Sequence, residues 1–353
     1  MLLFNPTEQI RILFRRIERQ SKKPELRGCR MIVVTGGAGF IGSALLWQLN
    51  SLGRDDILVV DNLADSSKWQ NLVKRKYADY MHRDRFIDLA RENALPFDIS
   101  AIVHLGACSS TTESDADFLM ENNFHYSRDL CCFALEKGAR FINASSAATY
   151  GDGSSGFSDK LEVLPELRPL NMYGYSKQLM DLWLLRENLL ESVASLKFFN
   201  VYGPNEYHKG AMQSVIAKAF EQIGKTGRLG LFASNDPAIA DGCQKRDFVY
   251  VKDCVRLIAW LLDNPQANGI LNVGTGMART FKSLGEAVFA AMGRPCAIDY
   301  VPMPAELEDK YQNYTCADIA RLVSAGYPHP FPTLEAGVRD YVQNYLSAKD
   351  IYL

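Results

Sequence analysis

A tyrosine and a lysine four residues apart are the side chains of this chain best suited to proton transfer. Tyr173 and Lys177 share the segment NMYGYSK, and on a helix this spacing places both side chains on one face. The unperturbed pKa of a phenol is about 10, so a tyrosine is a poor base at neutral pH. A neighbouring ammonium group stabilises the phenolate and lowers that pKa. The pair alone is better explained as a packed aromatic ring beside a solvated lysine, so the surrounding elements decide its meaning.

A glycine-rich turn joins two apolar, β-branched runs near the start of the chain. The runs are MIVVT at 31–35 and ILVVD at 57–61, and the turn has glycines at three-residue intervals, Gly36, Gly39 and Gly42, before a helical pattern. Glycine lets the backbone turn tightly and approach a pyrophosphate, which rests on the amides of the helix N-terminus. Because strand and helix bracket the turn and an acidic residue ends the second run, the segment predicts a dinucleotide-binding βαβ unit.

Strand and helix patterns continue to alternate beyond this unit. Apolar runs fill residues 101–105, 140–144 and 195–199, with a long helical pattern at about 115–137 and another around Tyr173. Strands separated by helices predict an α/β fold, a doubly wound parallel sheet of the Rossmann type, with ligands at the carboxyl ends of the strands.

The pattern loosens after residue 200, which predicts a smaller, discontinuous α/β domain. We expect residues 247–251 and 269–273 to return to the main sheet as strands. The predicted boundaries are a basic N-terminal extension over 1–30, a dinucleotide-binding domain over 31–200 and about 247–275, and a substrate-binding domain over 201–246 and about 276–350.

The first 30 residues differ in composition from the rest. They contain eight Lys or Arg residues against three Glu, with apolar residues interleaved. A short basic amphipathic helix and a disordered or peripherally packed extension both fit this pattern. Met31 directly precedes the first strand, so translation could also start there.

The overall composition indicates a cytoplasmic protein without a polyanionic partner. The formal net charge is −2, and no apolar run approaches the roughly 20 residues of a membrane span. We therefore expect no nucleic-acid and no membrane partner. The eight cysteines form no CxxC pair and no zinc-like spacing with histidine, which predicts no metal site and reduced thiols.

Two serines end the run that precedes the helix carrying Tyr173. A hydroxyl at Ser145 or Ser146 would hydrogen-bond a substrate oxygen, although for either serine taken alone a strand-end bond or helix cap is the better explanation. Combined with the dinucleotide loop and the Tyr-x-x-x-Lys spacing, they predict a hydride-transfer site. Oxidised nicotinamide would accept hydride from an alcohol carbon as Tyr173 removes the hydroxyl proton. Lys177 would lower the pKa of the tyrosine and hold the nicotinamide ribose.

Several longer motifs surround these residues, and they carry a resemblance to a known family. The motifs are GACSSTTE at 106–113, ASSAATYG at 144–151, YGYSK at 173–177, FNVYGP at 199–204, HKG at 208–210 and KRDFVY at 245–250. From Met31 to about the last helix the chain resembles the extended short-chain dehydrogenase/reductase superfamily. Within it, the GACSSTTE and HKG segments are similar to the ADP-L-glycero-D-manno-heptose 6-epimerase family.

The resemblance implies inversion of C6 of the heptose in an ADP-activated sugar, for the lipopolysaccharide inner core. The carbon would be oxidised transiently, the carbonyl would turn in the site, and reduction would follow from its other face. Such a scheme needs an acid/base group on each side. Tyr173 would serve one face, and Lys209, which alone reads as a solvated loop lysine, matches the family's second catalytic position. The resemblance also implies a homo-oligomer, often a pentamer.

The resemblance further implies two sets of binding residues. Those implied for the cofactor are Gly36, Gly39, Phe40, Ile41, Gly42, Asp61, Asn62, Lys68, Arg83, Leu105, Gly106, Ala107, Cys108, Ser109, Asn122, Lys177 and Val201. Those implied for the nucleotide-sugar are Ser146, Asn200, Ala211, Lys218, Phe232, Ser234, Arg246 and Tyr311, with the arginine as diphosphate partner. Ala211 stands where the family often has serine, Lys218 where histidine is expected, and residues 233–244 form a longer link than usual.

The identity of the cofactor is divided between two patterns. Asp61, which ends the second strand, would accept the adenosine ribose hydroxyls and favours NAD. The resembling family uses NADP, and Lys68 matches its lysine, while Arg83 would add a second positive charge near a 2′-phosphate. We expect NADP, with NAD as the alternative.

Two other functions stay open at this point. A 4-epimerase or 4,6-dehydratase would share the scaffold, but a dehydratase needs an acid/base pair where this chain has Ala147 and Ala148. A cofactor-sensing or RNA-binding protein on the same fold could dispense with the tyrosine, lysine and serine, which are all present.

Overall fold

The computed structural model describes residues 30–304 and 311–353. The interpretation of the basic extension lies outside the described residues, apart from Arg30, and the domain boundaries stay a prediction. Among the described residues, no helix is both long and apolar enough to cross a membrane.

The strands of the described chain are short and mostly apolar. They are β1 Met31–Thr35, β2 Ile57–Asp61, β3 Asp79–His82, β4 Ile99–His104, β5 Arg140–Ser146, β6 Val193–Phe198, β7 Asn200–Tyr202, β8 Leu229–Phe232, β9 Lys245–Tyr250, β10 Gly269–Val273, β11 Ala278–Thr280 and β12 Ile298–Val301.

Helices connect most of these strands. They are α1 Phe40–Ser51, α2 Arg83–Arg91, α3 Ala116–Leu119, α4 Tyr126–Glu136, α5 Met172–Arg186, α6 Val215–Thr226, α7 Val251–Asp263, α8 Phe281–Ala291, α9 Ala320–Ser324 and α10 Leu334–Tyr341. Shorter 3₁₀ segments are Ser67–Leu72, Ala147–Tyr150, Leu161–Glu166 and Tyr207–Met212, and π segments are Met120–His125 and Val342–Leu346.

Seven strands form one parallel sheet in the order β10-β6-β5-β4-β1-β2-β3. The chain leaves β1 in one direction to reach β2 and β3 and in the other to reach β4 onward, so the switch point lies between β1 and β4. This confirms the predicted doubly wound fold. It also brings the carboxyl ends of β1, β2, β4 and β5 together at one edge.

The central strands are buried on both faces, which explains their continuous apolar sequences. Ile32 and Val34 of β1 pack in the core that contains α1 and α7, whereas Met31 and Val33 pack in the core on the opposite face, with α4 and α5. Alternation along each strand therefore feeds two cores rather than one core and solvent.

The expectation for residues 269–273 is confirmed, but the expectation for 247–251 is wrong. The strand β10 pairs with β6 and completes the large sheet. Because β10 occupies the free edge of β6, β9 has no place there. It pairs instead with β7 and β11 in a separate three-stranded sheet, and β8 and β12 form a further pair.

Candidate active site

One cavity of about 490 Å³ lies at the carboxyl ends of β1, β2, β4 and β5. Every residue implied for the cofactor lines it, and so do Tyr173, Lys177, Ser146 and Lys209. Other lining residues had no role assigned from the sequence, namely Thr35, Val60, Phe118, Tyr126, Ala144, Phe198, Phe199 and His208. The structure thus brings the two expected acid/base side chains, on separate elements, to the walls of a single cavity.

The glycine turn is shaped for close approach of backbone to backbone. Gly36 has a φ of +64°, and a Cβ on Gly42 would lie only 2.1 Å from the carbonyl oxygen of Gly36. Gly39 stands at the N-cap of α1, so no side chain occupies the end of that helix. A helix N-terminus open in this way presents unpaired amides and a favourable dipole to a pyrophosphate. The turn therefore fits a dinucleotide.

A methyl group at position 42 should disable this turn. We expect Gly42→Ala to cost about 1–3 kcal/mol of stability through overpacking, and to abolish retention of the nicotinamide cofactor during purification. Gly224→Ala is the matched control, because a Cβ there meets nothing within 4 Å. In the exposed last turn of α6 it should instead stabilise by about 0.5–1 kcal/mol. Thermal melts and cofactor absorbance would measure both effects, and full cofactor retention by Gly42→Ala would contradict this account.

The acidic residue that ends β2 is already engaged by protein donors. One carboxylate oxygen of Asp61 accepts the Ala38 amide at 2.9 Å. The other accepts the Asn62 amide and the Lys68 ammonium, both at 2.7 Å. Arg83 lies across the same pocket, where it donates to the Asn122 side chain. The charge of the carboxylate is thus balanced before any ligand binds, and two cations line the pocket beside it.

Tyr173 and Lys177 lie on α5, whose first turn is fixed by a side-chain cap. The Asn171 side chain accepts the Gly174 amide at 2.8 Å, which starts the helix and leaves both residues facing the cavity. Lys177 is buried and donates to the Ala144 carbonyl at 2.8 Å. Burial lowers the pKa of Lys177 to about 8.

The pKa of Tyr173 differs in direction from the expectation for the pair. Burial raises it, and the hydrogen bond with the Ser146 hydroxyl opposes that rise. Burial has the largest effect on this phenol, and the Lys177 ammonium donates to the Ala144 carbonyl. In this structure the phenol is protonated at neutral pH.

A π segment places two asparagines beside the same cavity. The Asn123 side chain accepts the Cys108 amide at 2.9 Å and donates to the Cys108 carbonyl at 3.0 Å. It also donates to the Ser176 hydroxyl at 3.0 Å, next to Lys177. Asn123 therefore ties the loop after β4 to α5. Sequence reasoning missed it, although the widened helical turn that presents it is a common feature of functional sites.

Lys209 approaches the cavity from the 3₁₀ segment Tyr207–Met212. Its ammonium lies 5.4 Å from the centre of the Phe40 ring, at the start of α1. Burial lowers the pKa of Lys209, while the Glu206 carboxylate opposes that change. Next to it, His208 lies with Nδ1 3.3 Å from the Asn71 amide nitrogen, and burial lowers its pKa to about 4. His208 is therefore neutral at pH 7, and the only titrating cation of this segment near the cavity is Lys209.

Most residues implied for the nucleotide-sugar lie outside the 490 Å³ cavity, with Ser146 the exception. Arg246 lies 5.1 Å from the Tyr311 ring centre, and that ring lies 6.4 Å from the Phe232 ring. In this second group Tyr311 lies beside both Arg246 and Phe232.

The remaining members of that set contact other parts of the protein or are exposed. Lys218 donates to the Ala211 carbonyl at 2.6 Å. The Ser234 hydroxyl donates to the carbonyl of Asp236 in its own loop at 2.9 Å. Asn200 is exposed at the start of β7. Their assignment to the substrate stays a prediction.

The sequence and the fold are both similar to those of known proteins. The model of the NAD dependent epimerase/dehydratase family matches residues 32–274. The chain is 61% identical over 323 residues to an ADP-L-glycero-D-manno-heptose-6-epimerase of Nitratidesulfovibrio vulgaris, covering 92% of this chain and 100% of that one. It is 47% identical over 334 residues to the enzyme of that name from Fusobacterium nucleatum, covering 92% of this chain and 100% of the relative.

Two solved structures are similar throughout. The ADP-L-glycero-D-manno-heptose-6-epimerase of Helicobacter pylori aligns with a TM-score of 0.76 at 26% identity, over 92% of this chain and 99% of that one. The UDP-glucose 4-epimerase of Thermus thermophilus, solved with NAD, aligns with a TM-score of 0.71 at 26% identity, over 90% of this chain and 99% of that one.

Proposed function

Because the chain belongs to the NAD dependent epimerase/dehydratase family, we propose that it inverts C6 of the heptose in ADP-glycero-manno-heptose, for synthesis of the lipopolysaccharide inner core. One observation above all supports this substrate: the 61% identity that extends over the full length of a curated heptose 6-epimerase. The walls of the cavity support the reaction class, since Tyr173 and Lys209 reach it from separate elements.

A nicotinamide dinucleotide, with its pyrophosphate held by the glycine turn, would supply the hydride acceptor and donor at C6. This chain's residues do the rest. Ser146 holds the reacting oxygen, and Tyr173 exchanges a proton with it on one face of the sugar carbon. Lys209 exchanges the proton on the other face. The glycine turn would hold the cofactor's pyrophosphate in one place, so the sugar rather than the cofactor would turn between the two steps.

A 4-epimerase on the same scaffold is the second candidate, since the fold is shared with a UDP-glucose 4-epimerase. Dehydration is disfavoured because the two positions directly after Ser146, where a dehydratase needs an acid/base pair, are Ala147 and Ala148, which transfer no protons. A purely cofactor-sensing role is disfavoured because a protein that only binds the cofactor could dispense with the tyrosine, lysine and serine. Here Tyr173, Lys177 and Ser146 all line one cavity.

The deciding experiment offers the purified protein both substrate classes. Each C6 epimer of ADP-heptose and, separately, UDP-glucose are incubated with the protein, and proton NMR follows the configuration at C6 and C4. Interconversion of the ADP-heptose epimers without action on UDP-glucose is the expected result. Inversion at C4 of UDP-glucose with no change in ADP-heptose would overturn the proposal.

We also propose NADP as the cofactor. Asp61 already accepts three protein donors, so it is less available to ribose hydroxyls than a free carboxylate would be. Lys68 and Arg83 line the same pocket and suit a 2′-phosphate. Mass spectrometry of the cofactor released from the purified protein tests this directly, and recovery of NAD alone would refute it.

Lys68→Met should separate the two cofactors by affinity. We expect the affinity for NADP to fall about tenfold or more, because a charge-assisted hydrogen bond contributes about 1.5–3 kcal/mol. The affinity for NAD should change little. Calorimetric titration of cofactor-stripped protein measures both, with Lys76→Met, an exposed lysine of the same loop, as the control. Equal losses for both cofactors would show that Lys68 acts only on the fold.

Self-association and a cytoplasmic location complete the proposal. An open groove between the π segment and α5 is lined by Phe124, Tyr175, Leu179 and Trp183 together with Arg128 and Arg186, and of the aromatic residues Tyr175 is exposed. We propose that copies of the chain associate, as the family resemblance implies. Light scattering after size exclusion gives the state, and a monomer at assay concentrations would contradict it. The cysteines of the described residues are free, in keeping with a reducing compartment.

A further inference from the structure

A fully buried ion pair lies behind the cavity and has no role in the chemistry described so far. Asp181 of α5 and Lys197 of β6 both have side chains that are 0% exposed, and their charged atoms lie 3.1 Å apart. Burying two charges costs several kcal/mol per ion, and such a pair is weak evidence of added stability. What it contacts is therefore more informative than what it contributes to the fold.

The carboxylate of Asp181 connects α5 to two neighbouring strands. One oxygen accepts the hydroxyl of Ser145, at the end of β5, at 2.7 Å. The other accepts the hydroxyl of Ser195, in β6, at 2.8 Å. Ser145 directly precedes Ser146, so this carboxylate fixes the distance between the catalytic helix and the strand end that presents the substrate-binding hydroxyl.

The ammonium of Lys197 reaches the same strand end by a second route. It donates to the Thr149 hydroxyl at 2.6 Å, and that hydroxyl donates to the Ser146 carbonyl at 2.8 Å. The ammonium also lies 4.7 Å from the centre of the Tyr150 ring. The pair thus holds Ser146 from both sides, through the residue before it and through its own carbonyl.

Asp181 also lies on the same face of α5 as Lys177. Residues 173, 177 and 181 follow at four-residue spacing, so Tyr173, Lys177 and Asp181 form one stripe on the helix. From these contacts we propose that the Asp181–Lys197 pair positions Ser146 and Lys177 against Tyr173. The inference rests on the proposed function, since it assigns Tyr173 and Ser146 to the reacting oxygen.

The electrostatic surroundings of Lys177 make the proposal testable by pH. The groups that face Lys177 are Tyr173 and Asp181 on its own helix, Cys108 after β4, and His104 in β4. Burial lowers the pKa of His104 to about 3, so it is neutral at working pH. Asp181 raises the pKa of Lys177 against burial, and Cys108 acts on it in the same direction with a smaller effect.

Removing Asp181 and removing Lys197 should move the alkaline limb of the pH profile in opposite directions. Lys177 is charged below its pKa, so kcat falls as pH rises through that value, about 8. Asp181→Asn removes the charge that raises this pKa, so the alkaline limb should move to lower pH. Lys197→Met leaves the carboxylate without its other cation, so the limb should move to higher pH. If the two substitutions only loosened the packing, the alkaline limb would move in the same direction in both variants.

The experiment compares kcat, KM and pH profiles of the holoenzyme with those of Asp181→Asn and Lys197→Met. We expect kcat to fall about tenfold or more in each, because small displacements of catalytic groups are costly, while KM stays close to wild type. Glu221→Gln, from an exposed ion pair, is the control. Unchanged kcat, or limbs shifted in the same direction, would overturn the proposal. If Asp181→Asn does not fold, Lys197→Met alone decides by the direction of its limb.

A substrate-free measurement separates this proposal from the proposed function. If the wild type does not act on ADP-heptose, the proposed function fails, and the pKa of Lys177 is then followed in the holoenzyme by the carbon NMR signal of its Cε, assigned by the loss of that signal in Lys177→Met. That pKa should fall in Asp181→Asn, which removes the carboxylate that raises it, and rise in Lys197→Met, which removes the cation paired with that carboxylate. No shift in either variant would refute the positioning role whatever the substrate is.

Discussion

Tyr173→Phe should lower kcat for C6 inversion by about 10²–10⁴-fold, the usual loss when one acid/base group is removed. The substitution keeps the ring that packs in the cavity wall and removes only the hydroxyl that bonds Ser146. Cofactor retention and melting temperature should therefore stay at wild-type values. NMR of the ADP-heptose epimers gives the rate, and the absorbance of the purified protein gives the bound cofactor.

Tyr175→Phe is the matched control for this prediction. It lies two residues away on the same helix, but its side chain is 46% exposed and points away from the cavity lining. It should turn over at the wild-type rate. If Tyr173→Phe did so as well, Tyr173 would have no part in proton transfer, and the interpretation of α5 as the catalytic helix would be wrong.

The sequence predicts most strands of the large sheet because a strand buried on both faces has a continuous apolar sequence. The bounds of β1 and β2 agree with the apolar runs, since a parallel strand buried on both faces needs no polar position. The strand β9 was misplaced for an equally physical reason. Its sequence shows that it is buried, but not which sheet edge is free, and β10 takes the edge of β6.

Part of the candidate site could likewise be predicted from the sequence. Helical spacing places Tyr173 with Lys177, and the rule of carboxyl ends places Ser146 beside them. The hydrogen bond from Lys177 to the Ala144 carbonyl could not be predicted, because it depends on how α5 packs on β5. The sequence does contain a signal for the buried ion pair, because a lysine such as Lys197, between Leu196 and Phe198 in a buried strand, needs a buried partner.

The role of Lys209 is the part of the site that spacing rules could not supply. It lies on a short 3₁₀ segment, where a lysine is ordinarily solvated. Here its pKa is lowered by burial, and its ammonium packs over the Phe40 ring at the wall of the cavity. A desolvated lysine with a lowered pKa gives up and regains a proton near neutral pH more readily than a solvated one. That property is what the second face of an epimerase requires.

Lys209→Met should therefore lower kcat for C6 inversion by about 10²–10⁴-fold, as loss of one acid/base group predicts. The methionine keeps the apolar stem against Phe40, so cofactor content and stability should be retained. Lys225→Met is the control, because that ammonium is exposed and pairs only with Glu221 one turn earlier. Wild-type turnover by Lys209→Met would leave Tyr173 as the sole proton-transfer group and remove the main structural argument for an epimerase.

The two variants together test the two-sided site more sharply than either rate. Oxidation of one C6 epimer needs the group on one face, and oxidation of the other epimer needs the group on the opposite face. Mixed with each epimer in turn, Tyr173→Phe should fail to produce the transient absorbance of reduced nicotinamide with one, and Lys209→Met should fail with the other. If both variants failed with the same epimer and worked with the other, the two side chains would serve one face, and inversion would need a group not yet identified.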